Sequence, residues 1–223
     1  MITVHHLENS RSQRVLWLLE ELGLPYEVKR YARNPQTMLA PPELARVHPL
    51  GKSPVITDGG ATVAESGAIV EYLLDIYGAG RLRPPQGTPE QRRFTYWLHF
   101  SEGTAMPPLL MKLVFDKLRS APVPFFIKPV VKGIADKVTS SFIAPNLQRQ
   151  MDFMEAELAS RPWFAGSEFT AADIQMSFPL EAAAGRAGLN ATRPKLMDWL
   201  ARIHARPAYQ RALQAGGPYS MGG

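Results

Sequence analysis

The sequence predicts a protein of two units, an α/β unit with the element order βαβ-ββα followed by an all-helical unit. Short β-branched runs alternate with helical apolar spacing in the first third of the chain, and no strand pattern recurs later. A stretch rich in glycine and proline, typical of a linker, separates the two patterns. We therefore divide the chain into residues 1–77, a linker at 78–88 and a helical unit at 89–223.

The βαβ motif is predicted from three neighbouring segments. Residues 2–7 form a β-branched run, and apolar residues with helical spacing follow at 15–22. Gly23 ends this helix, and Ser12 is positioned to cap its start. Residues 26–31 alternate in polarity, so we expect a second strand that runs parallel to the first.

A hairpin and a further helix complete the α/β unit. A turn at 58–60, with the sequence Asp-Gly-Gly, separates apolar runs at 54–57 and 62–64. Glycine supplies the positive φ that such a tight turn requires. Apolar residues with helical spacing then begin at Ser66 and stop at Gly78, which gives the order ββα after βαβ.

Capping signals mark the helices of the second unit. Thr88 is a suitable N-cap, and Pro89 suits the first helical position. Thr170 and Asp173 predict a capping box, in which each side chain bonds to the other residue's backbone N–H, so we assign both a structural role. Prolines in this unit are expected to end or kink helices; they are Pro107, Pro108, Pro122, Pro124, Pro129, Pro162, Pro194 and Pro207.

Composition narrows the classes of function. The chain has 223 residues, of which 45% are hydrophobic and none is cysteine. It lacks both an apolar run long enough to span a membrane and the features of a secretory signal, so we expect a cytoplasmic protein. Without cysteine the protein has no disulfide, no thiolate nucleophile and no Cys-ligated metal. Any thiol chemistry must use a thiol that a ligand brings.

The positive charge is concentrated in one part of the chain. Residues 112–149 contain seven Lys and Arg and two Asp and Glu, hence a net charge of +5. These basic residues are widely spaced, whereas nucleic-acid-binding segments cluster them in short blocks. We interpret the segment as a solvated helical face and expect no nucleic-acid partner.

Four segments together resemble the cytosolic glutathione S-transferases along the whole chain. They are SRSQRVLWLLEELGLPY at 10–26, HPLGKSPVI at 48–56, ESGAIVEYL at 65–73 and FAGSEFTAADIQMS at 164–177. The start of the first segment looks closest to a serine-type-like branch common in fungi and bacteria. The resemblance implies a thioredoxin-like first domain, an all-helical second domain, a homodimer, glutathione as cosubstrate and no metal.

The resemblance also implies which residues bind glutathione. A cis peptide bond before Pro54 would leave the backbone of Val55 free to pair with the extended tripeptide. Glu65 would face the ammonium group and Ser66 the carboxylate of the γ-glutamyl end, although Ser66 alone also suits a helix cap. The full implied set is His48, Lys52, Ser53, Pro54, Val55, Glu65 and Ser66, with His48 and Lys52 at the glycyl carboxylate.

Three residues are candidates for activating the thiol of glutathione. By its distance from the arginine in the first helix, Ser10 matches the activating hydroxyl of the serine-type branch. Asn9 could instead donate from its amide, and Ser12 could serve only as a cap. A hydroxyl that donates to a thiolate lowers the thiol pKa. His5 and His6 lie inside the first predicted strand, and we assign them packing roles.

The family places the electrophile in an apolar pocket between the domains. The candidates are Trp97, Phe100, Glu102, Met106, Leu110 and Phe115. Aromatic and methionine side chains at helical spacing also suit a core, so this alternative stays open, as does a role of Glu102 in the dimer contact. The proline-rich residues 118–133 suit either a lid or an extended helix.

These observations lead to three hypotheses. The first is a glutathione transferase that joins the thiolate of glutathione to small hydrophobic electrophiles in detoxification. The second is a glutathione-dependent peroxidase or disulfide reductase that uses the same thiolate. The third, from another class, is a non-catalytic ligand-binding or interaction module, because this fold is reused for such roles.

Overall fold

A computed structural model describes residues 1–220 and confirms the order βαβ-ββα in the first unit. The strands lie in the order β2-β1-β3-β4, with β1 parallel to β2 and antiparallel to β3. The elements are β1 (Ile2–Leu7), α1 (Ser12–Leu22), β2 (Tyr26–Tyr31), a short α2 (Pro42–Ala45), β3 (Val55–Asp58), β4 (Ala61–Ala64) and α3 (Ser66–Tyr77).

Helix α1 ends as predicted but begins differently. Gly23 follows it with φ 66°, a left-handed conformation that glycine adopts without strain. The N-cap is Arg11, whose side chain makes no capping bond, and Ser12 is the first helical residue. The prediction of Ser12 as a cap is therefore wrong, because its hydroxyl bonds to neighbouring side chains instead of to the helix backbone.

Among the residues that the structure describes, the second unit contains helices joined by loops and no strand. The helices are α4 (Pro89–Phe100), α5 (Met106–Arg119), α6 (Lys128–Val138), α7 (Ala144–Ser160), α8 (Ala171–Arg186), α9 (Pro194–His204) and α10 (Pro207–Gly216). The sequence left open whether residues 118–133 form a lid or an extended helix. In the structure they are the end of α5, a loop and the first turns of α6.

Pro107 and Pro108 do not end a helix, but the helix is irregular directly before them. Pro107 and Pro108 follow a π-helical turn, Ser101–Ala105, through which α4 continues into α5. The wider turn accommodates prolines, which lack a backbone N–H. Its backbone hydrogen bonds span five residues and not the four of an α-helix. By contrast, Pro194 and Pro207 occupy first turns, where the N–H has no partner within the helix.

The capping box is confirmed at the start of α8. The backbone N–H of Thr170 donates to Asp173 Oδ2 at 3.0 Å, and Thr170 Oγ1 accepts from Ala172 at 3.3 Å. Asp173 is fully buried and also accepts at Oδ1 from the Phe164 backbone at 3.0 Å and from Trp199 Nε1 at 3.1 Å. Burial raises the pKa of this carboxyl to about 6, although these three hydrogen bonds and a fourth, donated by the Thr170 hydroxyl at 3.2 Å, oppose the shift.

We predict that Asp173→Asn destabilises the protein by about 3 kcal/mol, because an amide NH2 would face N–H donors that it cannot satisfy. Thermal or urea unfolding followed by circular dichroism measures the loss. Asp198→Asn is the matched control, since Asp198 lies exposed on α9 in a surface pair with Arg202 and should change stability by less than about 0.5 kcal/mol. Equal stability of the two variants would contradict a structural role of Asp173.

Candidate active site

The loop between β1 and α1 holds a buried serine hydroxyl at the start of a hydrogen-bond chain. Ser10 is 5% exposed, and its Oγ lies 2.8 Å from Ser12 Oγ. The backbone N–H of Ser12 donates to Ser10 Oγ at 3.3 Å, and Ser10 Oγ donates to Ser53 Oγ at 3.4 Å. The structure therefore brings together two of the three candidates for thiol activation.

His6 ends this hydrogen-bond chain. Ser12 Oγ lies 2.9 Å from His6 Nδ1. Burial, with a smaller contribution from the charge of Arg30, lowers the pKa of His6 to about 4, so the ring is neutral at physiological pH. The ring also bonds to the backbone of Gly216, which leaves Nδ1 to accept the Ser12 proton. We name these three side chains, Ser10, Ser12 and His6, the serine–histidine chain.

Sequence reasoning gave His6 a packing role, whereas the structure links it to the loop. The alternation of a strand places His5 on the other face, where it bonds to Tyr31 Oη at 2.9 Å. The alternation was visible in the sequence, but the contact between β1 and the first residue of α1 was not.

Asn9, the other candidate, is exposed and has φ 48°. Its side-chain oxygen accepts from the backbone N–H of Ser220 at 2.8 Å, so the C-terminal segment lies against this loop. The amide of Asn9 is thus partly engaged by the protein itself.

The peptide bond between Ser53 and Pro54 is cis. Val55 is paired on both sides, with His5 of β1 and with Ala64 of β4. The implied free backbone at Val55 is therefore not observed, because β3 lies inside the sheet. Strand β3 begins only at Val55, so Ser53 lies outside the ladder, next to Ser10.

The N-terminus of α3 presents further candidates. Ser66 is buried, and its Oγ accepts from Arg14 Nη2 at 3.0 Å. Glu65 is exposed and has φ 73°, an uncommon conformation for a residue other than glycine. The free N–H groups and the helix dipole favour an anion here. Lys52 is exposed and His48 is half-buried at the same end of β3.

Arg14 connects this region to the helical unit. Its guanidinium is buried and donates to the Gln175 carbonyl at 2.6 Å and to Ser101 Oγ at 3.2 Å. It also forms an ion pair with Glu102, which accepts from Arg11 Nε at 2.9 Å. Burial acts to raise the pKa of Glu102, but the two arginines outweigh it and the net pKa is lowered. Glu102 is therefore a counterion for both arginines.

The predicted pocket residues divide into core and surface. Trp97 is 1% and Phe100 is 7% exposed, and Trp97 packs against Phe164 at a centroid distance of 4.5 Å. These two side chains belong to the core and do not line an open pocket, because the face of α4 that carries them packs inside the helical unit. Met106 is also buried, whereas Leu110 is exposed and Phe115 is half-buried.

Relatives with the same domain pattern are known. The Glutathione S-transferase, N-terminal domain family matches residues 10–76, and the Glutathione S-transferase, C-terminal domain family matches residues 143–207. Glutathione S-transferase 3 of Schizosaccharomyces pombe is 37% identical over 96% of this chain and 87% of its own length. Glutathione S-transferase 1 of Saccharomyces cerevisiae is 32% identical, with 94% and 92% covered.

Solved structures share the architecture. A glutathione S-transferase from Actinobacillus pleuropneumoniae has a TM-score of 0.81 at 31% identity, with 99% of this chain and 95% of that chain covered. A sphingomonad glutathione S-transferase complexed with glutathione has a TM-score of 0.74 at 24% identity, with 96% and 98% covered. The fold is that of a two-domain protein with a thioredoxin-like first domain and a helical second domain. The chain belongs to the glutathione S-transferase family and is a glutathione S-transferase.

We predict that Glu102→Gln lowers the free energy of unfolding by about 2 kcal/mol at neutral pH, because it leaves the buried Arg14 charge without a counterion. The lowered pKa sets the pH dependence: the wild-type contribution is complete above pH 4.5, the ordinary value, and is lost as pH falls through the lower folded pKa. Urea unfolding at several pH values measures both effects.

The matched control is Asp75→Asn, since Asp75 forms an exposed pair with Arg83. We expect a change of less than about 0.5 kcal/mol for this variant. A Glu102→Gln protein with wild-type stability and wild-type acid sensitivity would exclude the proposed counterion role.

Proposed function

We propose that the enzyme conjugates glutathione to small hydrophobic electrophiles, a detoxification reaction in the cytoplasm. The observation that carries this proposal is the buried Ser10 hydroxyl, held beside the N-terminus of α1 in a chain without cysteine. The sulfur must come from the ligand, and the loop supplies a donor for it. The thiolate forms a bond to an electrophilic carbon. An aryl halide then loses halide with its electron pair, an epoxide opens so that its oxygen takes a proton, and the nitrogen of an isothiocyanate takes a proton.

Two features of the loop favour the thiolate form of the ligand. Because Ser12 donates to His6, Ser10 is the donor in its own bond to Ser12. The Ser10 hydroxyl turns this proton from Ser12 to the sulfur when glutathione binds. The dipole of α1, whose positive end lies at this loop, adds positive potential in the same place. Each unit by which these donors lower the thiol pKa corresponds to about 1.4 kcal/mol.

The α3 N-terminus supports a carboxylate position for glutathione. Ser66 and the helix N–H groups suit the γ-glutamyl carboxylate, and the buried Arg14 charge behind Ser66 reinforces the potential there. Glu65 suits the ammonium group, and Lys52 suits the glycyl carboxylate. The backbone at Ser53, outside the ladder and beside Ser10, is the better candidate than Val55 for pairing with the peptide.

We also propose a homodimer. The exposed Tyr96 and Phe153, whose ring centroids lie 6.4 Å apart, form an aromatic surface that a second copy would bury. A monomer in light scattering at micromolar concentration would contradict this assembly.

The central test is an assay of glutathione with aryl halides, isothiocyanates and epoxides. We predict that the wild type conjugates at least one of them and that Ser10→Ala lowers kcat about 10- to 100-fold, with a much smaller effect on the KM for glutathione. The thiolate absorbance of bound glutathione should show a raised thiol pKa in this variant. Ser160→Ala, at the exposed end of α7, is the control.

The outcomes separate the alternatives. Turnover of cumene hydroperoxide or hydroxyethyl disulfide without conjugation would favour the peroxidase or reductase. Glutathione binding without any turnover would favour a binding module. Unchanged kcat in Ser10→Ala would move the assignment to Asn9, tested by Asn9→Ala.

His6 is proposed as a positioning residue that acts through Ser12. We predict that His6→Leu lowers kcat about tenfold, since it removes the acceptor that holds the Ser12 proton, a hydrogen bond worth roughly 1.4 kcal/mol. His6→Asn should recover most of the activity, because its amide oxygen takes the place of Nδ1. His5→Asn, on the other face of β1, is the matched control. If His6→Leu and His6→Asn are equally impaired, the effect is one of packing alone.

A further inference from the structure

The loop between α5 and α6 exposes two adjacent aromatic side chains. Phe125 is 82% and Phe126 is 68% exposed, and their rings meet edge to face at 5.6 Å. Val130 and Ile134 extend the apolar surface along α6 and are also exposed. Single exposed apolar residues are ordinary, but a contiguous exposed group of this kind marks an interaction site. We call residues 120–127 the aromatic tip.

The aromatic tip is held by backbone hydrogen bonds. The Pro124 carbonyl accepts from the N–H groups of Ile127 at 2.9 Å and Lys128 at 3.3 Å, so the chain turns directly into α6. Pro122 fixes a further backbone φ before this turn. The two phenylalanines are therefore presented outward by an ordered turn, at little entropic cost on binding.

Basic side chains surround the base of the aromatic tip. A surface cavity of about 700 Å³ is lined by Arg119, Lys128 and Lys132, together with neighbouring loop residues. Arg119 is paired with Asp136 at 3.0 Å. Within residues 1–220 the ammonium group of neither lysine has a hydrogen-bond or ion-pair partner. Two lysines with unpaired ammonium groups thus line the cavity at the base of the aromatic tip.

The positive charge and the exposed apolar side chains of this surface together indicate the kind of partner that it binds. The segment 112–149 has a net charge of +5, so a second copy of this surface would be repelled by the first. Single-stranded nucleic acid would use the rings for stacking but would leave the aliphatic Val130 and Ile134 without a partner. An anionic bilayer accepts both groups, because its headgroups attract cations and its interface accepts apolar side chains.

We propose that the aromatic tip binds the surface of an anionic phospholipid bilayer. Phe125 and Phe126 enter the interface, and Arg119, Lys128 and Lys132 contact the headgroup phosphates. Attachment is peripheral, since no helix among the described residues has both the length and the apolar character needed to cross a membrane. The inference is independent of the transferase reaction, and it would bring the enzyme to the phase in which hydrophobic compounds accumulate.

The test is cosedimentation of the full chain with vesicles of phosphatidylcholine alone or with added phosphatidylserine. We expect at least about tenfold stronger binding to the anionic vesicles, weakened by high salt. Phe125→Ser with Phe126→Ser should lower binding about tenfold or more. Lys128→Glu with Lys132→Glu should remove the preference for phosphatidylserine. Leu39→Ser, an exposed apolar residue of the first unit, is the matched control and should bind as the wild type does.

Several outcomes of these binding measurements would contradict the proposal. Equal binding to both vesicle types, no binding at low salt, or unaltered binding by the double phenylalanine variant would overturn the proposal. Binding to single-stranded RNA but not to vesicles would assign the surface to nucleic acid instead. The substituted side chains are exposed, so the variants should keep the wild-type circular dichroism and thermal stability, which are measured alongside.

Discussion

The buried guanidinium of Arg14 is the interaction on which the rest of the site depends. Burial opposes its charge, and the carboxylate of Glu102 offsets this cost. The same side chain reaches Ser66 at the start of α3 and the Gln175 carbonyl of α8. Because α1 begins just before Arg14, the loop that contains Ser10 is fixed relative to both domains. In the proposed reaction, the loop that would hold the thiolate is thereby fixed to both domains by one set of contacts.

Features encoded by neighbouring residues were predictable from the sequence. The capping box of Thr170 and Asp173 and the left-handed Gly23 both depend on backbone groups within a few residues, and both are confirmed. The βαβ-ββα order is also confirmed. It was predictable for the same reason, because apolar periodicity and turn residues are local signals. The cis bond before Pro54 is confirmed too, although that expectation came from the family resemblance and not from the proline itself.

Features that depend on distant contacts were not predictable in this way. Periodicity marks the apolar face of α4 but cannot say whether Trp97 packs inward or lines a cleft, and the partner that decides it, Phe164, is far along the chain. The expectation for Val55 failed because strand order decides which backbone is free. Ser12 suited a cap by position, yet its hydroxyl donates a hydrogen bond to a histidine on the adjoining strand.

The neutral state of His6 gives the hydrogen-bond chain its direction. A protonated ring would donate from both nitrogens, and Ser12 would then turn its own proton toward Ser10. Because burial lowers the pKa of His6 to about 4, the ring stays an acceptor throughout the range in which a thiol titrates. In the proposed reaction the pH dependence of thiolate formation then reflects the sulfur alone. His6 would then fix the direction of the hydrogen-bond chain without changing its own charge, and the borrowed thiol would be the group that titrates.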